Sequence, residues 1–328
     1  MTRRLWATVD RFPLARRFTI ARGSKTEAVV VTCRIEDGTA EGRGECVPYA
    51  RYGESVESVL AAIESVREAI EAGADRDRLQ TLLPAGAARN AVDCALWDLE
   101  AKQSGRRVAE MLGIDRPRAI DTAFTISLGT ADEMHAAARA VSQRSVLKVK
   151  VGAPEGDADR MRAVRAAALQ ARLIIDANEG WRPETIRQEM LAAAAIGAFV
   201  VEQPLPAGRD EILARMPRPV PVCADESVHG ADDLEALVGR YDYVNLKLDK
   251  TGGLTEGLRF LAEARRLGFG VMAGCMVGSS LAMAPAVLLA QDAELCDLDG
   301  PLLLSQDRPD GLAYEGSTVG APSPALWG

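Results

Sequence analysis

The 328-residue chain has only two histidines, His135 and His229. A zinc centre built on imidazole ligands is therefore a poor fit. The six cysteines, at 33, 46, 94, 223, 275 and 296, are scattered, and none forms a CxxC pair. That pattern provides neither zinc-finger spacing nor a disulfide framework, and it suits a reducing compartment. There is no basic surplus. The formal net charge is −8, which argues against general nucleic-acid binding. The N-terminal stretch MTRRLWATVDRFPLARRF lacks the uninterrupted apolar core of a signal peptide. No apolar run is long enough to cross a bilayer, and LAMAPAVLLA (281–290) is short and contains a proline. Hydrophobic residues make up 48% and charged residues 26%, an ordinary globular balance. The expectation is a soluble, cytoplasmic protein with no nucleic-acid and no membrane partner.

Two rhythms divide the chain. Residues 1–50 read as strands, with AVVVTCRIEDG (28–38) ending in a turn signal. Helical spacing follows in 54–71 and 88–103. From about residue 120, short apolar runs alternate with helical patterns: IDTAFTISLG, VLKVKVG, RLIIDAN, AFVVEQP, VPVCADES, YVNLKLD, GVMAGCM and ELCDLDGP. Eight strands with seven helical segments between them predict a parallel sheet closed into a barrel. A doubly wound open sheet fits less well, because it normally has fewer strands. The fold expected is α/β, a modified TIM-type (β/α)7β barrel over 119–304. An α+β capping domain over 1–118 completes it, and a Pro/Gly-rich segment over 305–328 returns to that domain.

Charged residues sit at the strand ends. Lys148 and Lys150 are followed by Asp176, Glu202, Asp225 and Lys247, and then by Asp297 and Asp299. From Lys150 the steps are 26, 26, 23 and 22, each close to one βα unit; the last step to Asp297 is 50, or two units. This register places them all at the C-terminal mouth of the barrel, where such folds carry their active sites. A lone Asp after a strand is commonly a helix cap. Independent caps give no reason for three lysines to face one cavity. Asp176, Glu202 and Asp225 make a hard, all-oxygen donor set suited to Mg²⁺, one ion per subunit.

With these residues in view, the chain resembles the enolase superfamily, specifically its dipeptide epimerases. The resemblance runs through GRGECVPYARYGES (42–55), NAVDCALWDLEAK (90–102), KVK, IIDAN, VEQP, ADES, NLKLDKTGG and DLDGP. It implies a 1,1-proton transfer at the C-terminal residue of a small dipeptide, through an enediolate, with L-Ala-D/L-Glu as the expected substrate and cell-wall peptide recycling as the setting. It assigns Lys150 and Lys247 as the two acid/base catalysts, one on each face of the α-carbon. Lys148 is implied at the substrate carboxylate, and Asp297 with Asp299 at the N-terminal ammonium. Arg22, in a mobile loop IARGSK (20–25) hinged at Gly23, resembles the residue that meets a glutamate side chain. Cys275 is expected as pocket wall and Thr125 as a hydrogen-bond donor to substrate. His229 is a weak candidate near the mouth. A homo-oligomer stays open. The competing readings are another lysine-based enzyme of this scaffold (N-acylamino-acid racemase, o-succinylbenzoate synthase or cycloisomerase) or a non-catalytic peptide- or metal-binding protein.

Overall fold

The computed structural model describes residues 3–328. Alternating apolar residues make the first segment an antiparallel sheet of β1 (Arg4–Ile20), β2 (Gly23–Asp37) and β3 (Ala40–Cys46). Val31, Cys33 and Ile35, two residues apart, are buried together against the helix Ala87–Ser104. That helix lies so close to β3 that two glycines are required. A Cβ at Gly42 would stand 2.1 Å from the Ala95 carbonyl, and one at Gly44 2.1 Å from the Ala91 carbonyl. The expected loop at 20–25 is instead the end of a hairpin. Ile20 pairs with Gly23 and Thr19 with Ser24, so Ala21 and Arg22 form a two-residue turn.

A short strand, β4 (Ile120–Asp121), precedes the barrel. The barrel strands are β5 (Phe124–Ile126), β6 (Val146–Lys150), β7 (Arg172–Asp176), β8 (Ala198–Glu202), β9 (Val222–Ala224), β10 (Tyr243–Leu246), β11 (Gly270–Gly274) and β12 (Leu295–Asp297). They pair in sequence order, all parallel. The two edges meet through Ala123 N–H donating to the Cys296 carbonyl at 2.8 Å and Leu298 N–H to Thr122 Oγ1 at 2.9 Å. The barrel is therefore nearly closed.

Five crossings carry α-helices: Ala131–Ala140, Asp157–Ala167, Ile186–Ala195, Leu254–Arg266 and Ser280–Leu289. The other two depart from the expected helices. The β8–β9 crossing contains only a 3₁₀ turn, Glu211–Ala214, in a segment with prolines at 204, 206, 217, 219 and 221. Proline removes the donor a helix interior needs. The β9–β10 crossing makes two 3₁₀ turns, Ala231–Asp233 and Glu235–Leu237, in the stretch between Gly230 and Gly239. No helix of the described residues is long and apolar enough to cross a membrane.

The C-terminal residues touch both parts of the molecule. β13 (Tyr314–Glu315) and β14 (Thr318–Val319) extend a small sheet with β4. Arg308 pairs with Asp10 and Glu45, each at 2.8 Å, and the buried Trp327 donates to the Cys94 carbonyl at 3.0 Å.

Candidate active site

The barrel interior is built in layers. Ala123, Val146, Ile174, Val200, Cys223, Met272 and Leu295 form a buried apolar layer. Two residues further along each strand the side chains return to the same face. There the layer becomes Thr125, Lys148, Asp176, Glu202, Asp225, Gly274 and Asp297, and β10 contributes Asn245. Gly274 makes room for that asparagine, since a Cβ there would stand 2.3 Å from Asn245 Oδ1. One step higher come Lys150 on β6 and Lys247, the residue after β10. The strand order puts β6 and β10 four strands apart in a ring of eight, so the two lysines approach from opposite walls.

Every ammonium in this layer is paired. Lys148 Nζ lies 2.6 Å from Asp297 Oδ2, 2.8 Å from Glu202 Oε2 and 3.2 Å from Asp176 Oδ2. Lys150 Nζ lies 2.6 Å from Asp176 Oδ2, and Lys247 Nζ 2.7 Å from Asp225 Oδ2. Burial alone would discharge Lys148, but Asp297, Glu202 and Asp176 outweigh it and hold the ammonium well above the ordinary lysine range. Burial opposes Lys247 in the same way, and Asp225 outweighs it. The carboxylates divide. Burial works against the charge of Asp176, yet Lys150 and Lys148 bring its carboxyl down to about 2. Burial and the neighbouring Asp176 push Glu202 up to about 7. Burial and Asp297 raise Asp299 to about 6.

A cavity of about 450 Å³ opens above this layer, beneath the β1–β2 hairpin. Lys150, Lys247, Asp225, Arg22 and Cys275 line it. Lys148, Asp176 and Glu202 are buried and outside its lining, while Asp297 stands against Lys148. Asp299 Oδ2 accepts the Thr125 backbone N–H at 2.7 Å, so it is the amide of Thr125 that is engaged. Burial, then Asp297, pushes the Cys275 thiol well above its usual range, which suits a wall residue rather than a nucleophile. His229 is not in the lining; it packs edge-on against Tyr52 with ring centroids 4.6 Å apart.

Four neighbours of these groups were not singled out from the sequence. Asn245 donates to Glu202 Oε1 at 2.9 Å. Lys250, fully buried, donates to Asp225 Oδ1 and to the Asp225 carbonyl, each at 2.7 Å, and to the Asn245 carbonyl at 2.9 Å. Glu226 pairs with Arg22 at 2.7 Å. Glu179 is gripped by Arg51 Nε and Nη2 at 2.8 and 2.7 Å. Of these, Asn245 obeys the same two-residue rule as the others, standing two before Lys247.

Among the described residues, no three His, Cys, Asp or Glu side chains stand grouped as a ready ion cage. Ammonium groups hold Asp176, Glu202 and Asp225 instead. The donor set still fits a hard divalent cation. All three donors are carboxylates at the ends of adjacent strands, Asp176 and Glu202 closing β7 and β8 and Asp225 following β9. Glu202 Oε2 makes no hydrogen bond; its 2.8 Å approach to Lys148 has the distance of an ion pair without hydrogen-bond geometry. Asn178 Oδ1, Glu226 Oε2, Asn245 Oδ1 and Asp297 Oδ1 are also buried acceptors without a donor. A surplus of buried acceptor oxygens is what a cation site requires.

A parallel barrel with acid/base groups at its mouth, roofed by a separate sheet, defines a class of barrel enzymes whose chemistry sits at the strand ends. Residues 4–113 match the family model for the mandelate racemase / muconate lactonizing enzyme N-terminal domain, and residues 132–318 match the enolase C-terminal domain-like model. The chain belongs to the enolase superfamily. The L-Ala-D/L-Glu epimerase of Escherichia coli (strain K12) is 46% identical over 307 residues, covering 93% of this chain and 95% of its own. The N-acetyl-D-glutamate racemase of a Pseudoalteromonas species is 45% identical over 296 residues, covering 90% and 93%. A crystal structure of an Agrobacterium tumefaciens enolase family member with homology to dipeptide epimerases, with bound sodium and L-Ala-L-Glu, is 56% identical. Its TM-score is 0.98, over 99% of this chain and 100% of that one. A Methylococcus capsulatus dipeptide epimerase complexed with Mg and L-Arg-D-Lys is 30% identical, with a TM-score of 0.91 over 100% and 99% of the two chains.

Proposed function

We propose that the protein is a magnesium-dependent dipeptide epimerase, an isomerase that inverts the α-carbon of the C-terminal residue, with L-Ala-D/L-Glu as its substrate. The observation that carries this reading is the pair Lys150 and Lys247, lining one cavity from strands four apart. Two opposed amines are what inversion of a C–H centre needs. One neutral amine takes the α-proton; the electron pair left on carbon delocalises into the substrate carboxylate as an enediolate. The opposite ammonium then gives a proton to the other face. The roles exchange in the reverse direction. Lys148, kept cationic by its three carboxylate neighbours, supplies fixed positive charge beside the reacting carboxylate. Asp176, Glu202 and Asp225 would hold Mg²⁺, which supplies Lewis-acid stabilisation of the charge developing on that carboxylate.

A second reading, racemisation of an N-acylated glutamate, is favoured by the Pseudoalteromonas relative. Asp297 argues for the dipeptide. Its Oδ1 is buried without a donor, and a substrate ammonium would satisfy it, whereas an N-acyl group brings no cation. The test is incubation in deuterated water with Mg²⁺ and a library of L,L-dipeptides beside N-acetylglutamate, read by mass. Dipeptides, with L-Ala-L-Glu foremost, should gain one deuterium. Exchange confined to N-acetylglutamate would overturn the dipeptide reading.

A further inference from the structure

Arg22 sits at the hairpin turn over the cavity, yet its donors are already committed. Nη1 donates to the Asn178 carbonyl at 2.9 Å and to Glu179 Oε2 at 3.1 Å. Nη2 lies 2.7 Å from Glu226 Oε1 and 3.4 Å from the Tyr49 hydroxyl. A guanidinium has five N–H donors in a rigid fork, so the two terminal nitrogens are spoken for and Nε–H remains. A side-chain carboxylate taking the two-pronged grip that guanidinium favours must displace one of these partners.

The partners are not equally held. The Asn178 carbonyl belongs to the backbone at the end of β7, where Asn178 and Glu179 both adopt left-handed conformations, with φ of 43° and 69°. Glu179 is fixed by both Arg51 bonds and by the Ala207 N–H at 2.9 Å. Of the two carboxylates that Arg22 meets, Glu226 has the lesser support. Apart from Arg22, its bond is a 3.3 Å contact from Asn178 Nδ2. Its Oε2 is buried with no partner, and it stands beside the carboxylate of Asp225. Both Arg22 and Glu226 line the cavity.

We propose that Glu226 is a specificity-determining residue: it is the internal counter-ion of Arg22, and an acidic substrate side chain takes its place on the guanidinium. This rests on the reading of the protein as an epimerase of acidic dipeptides. In the absence of such a side chain, Glu226 clasps the hairpin tip to the barrel. A neutral side chain brings no replacement charge and leaves the clasp as it is. An acidic one restores the pairing of Arg22 while giving up the Glu226 pair, so part of its binding energy is spent on the exchange.

The experiment compares wild type with Glu226→Gln, and with Glu226→Ala as a second variant. The quantity read is KM for L-Ala-L-Gln divided by KM for L-Ala-L-Glu. Freed of its internal anion, Arg22 should favour the acidic dipeptide more strongly, raising the ratio about fivefold in either variant, on the scale of one charge-assisted contact. A ratio that stays level or falls would overturn the proposal, because Glu226 would then merely orient Arg22. A second readout needs no turnover. Amide hydrogen exchange over residues 19–24 in the substrate-free protein should quicken in both variants, and unchanged exchange would remove the clasp. If the wild type exchanged neither dipeptide, the epimerase reading would fail and the specificity role with it. The hairpin exchange would still decide whether Glu226 holds the tip.

Discussion

Lys148 Nζ stands 2.6 Å from Asp297 Oδ2, joining the second strand of the barrel to the eighth across its interior. The same ammonium touches Glu202 and Asp176, so one buried cation is shared among three carboxylates. An ammonium this deeply buried survives only because the attraction exceeds its desolvation cost. The arrangement concentrates charge of both signs at the mouth, directly above the apolar layer of the barrel.

Removing that cation should therefore be costly. Lys148→Met leaves three buried carboxylates with one fewer partner, and a loss of about 3–5 kcal/mol is expected. Chemical denaturation at neutral pH measures it. A loss below about 1 kcal/mol, the scale of a surface pair, would mean that the ammonium is not the shared counter-ion.

Magnesium should act on stability as well as on activity. Binding to the native state alone raises stability by about 2.7 kcal/mol at one hundred times the dissociation constant. The thermal midpoint should rise with Mg²⁺ and return on chelation. In Asp225→Asn the rise should largely disappear. A midpoint indifferent to Mg²⁺ in the wild type would contradict the assignment of the three carboxylates.

Asp249 gives a pH signature. Its carboxylate accepts from Val47 N–H and from Asn90 Nδ2, each at 2.9 Å, tying the capping segment to the barrel just beyond Lys247. Burial pushes its carboxyl up from 3.8 to about 7. The native state therefore keeps this proton over a range where the unfolded chain has lost it. Stability falls as pH rises from about 4 to about 7 and levels off above. Asn at 249 keeps an acceptor oxygen and has no proton to lose. Thermal midpoints across that window should fall less steeply in Asp249→Asn than in the wild type. Parallel slopes would show that Asp249 does not contribute.

Gly44 tests the packing of the cap. A methyl group there would meet the Ala91 carbonyl, which is part of a helix and cannot turn aside. Gly44→Ala should cost about 1–3 kcal/mol, as overpacking does. Gly38→Ala, where nothing lies within 4 Å of the added carbon but φ is +66°, should cost only the smaller strain of that conformation, about 1 kcal/mol. Equal losses would mean that helix contact does not demand the glycine.

Much of the site is legible in the sequence because a strand repeats every two residues. Lys148 with Lys150 follows from that period, and the recurrence of Asp176, Glu202 and Asp225 follows from the length of the βα unit. Asn245 was within reach of the same rule. Lys250 was not, because it lies on the short helix Leu248–Thr251 beyond β10, where strand alternation no longer applies. Glu226 escaped for a related reason. It adjoins Asp225, and alternation would send neighbours to opposite faces, but β9 ends at Ala224 and the chain turns. The two 3₁₀ crossings show the limit of helical spacing as a signal. Apolar periodicity in 208–216 and 231–238 is present, but both form 3₁₀ turns, the first among prolines. The hairpin at 20–25 pairs near neighbours, Ile20 with Gly23 and Thr19 with Ser24, but its central pair Ala21-Arg22 is not one of the Asn-Gly, Asp-Gly or Gly-X pairs that announce a two-residue turn.

The most direct test of the account asks each lysine for one face. Lys150→Ala and Lys247→Ala are incubated in deuterated water with Mg²⁺ and, separately, L-Ala-L-Glu and L-Ala-D-Glu. Deuterium entry at the α-carbon is followed by mass and NMR. The account predicts that each variant loses epimerisation and that exchange without inversion survives for one epimer only, the opposite epimer in the two variants. Wild-type exchange of both epimers by either variant, or survival of the same epimer in both, would contradict it.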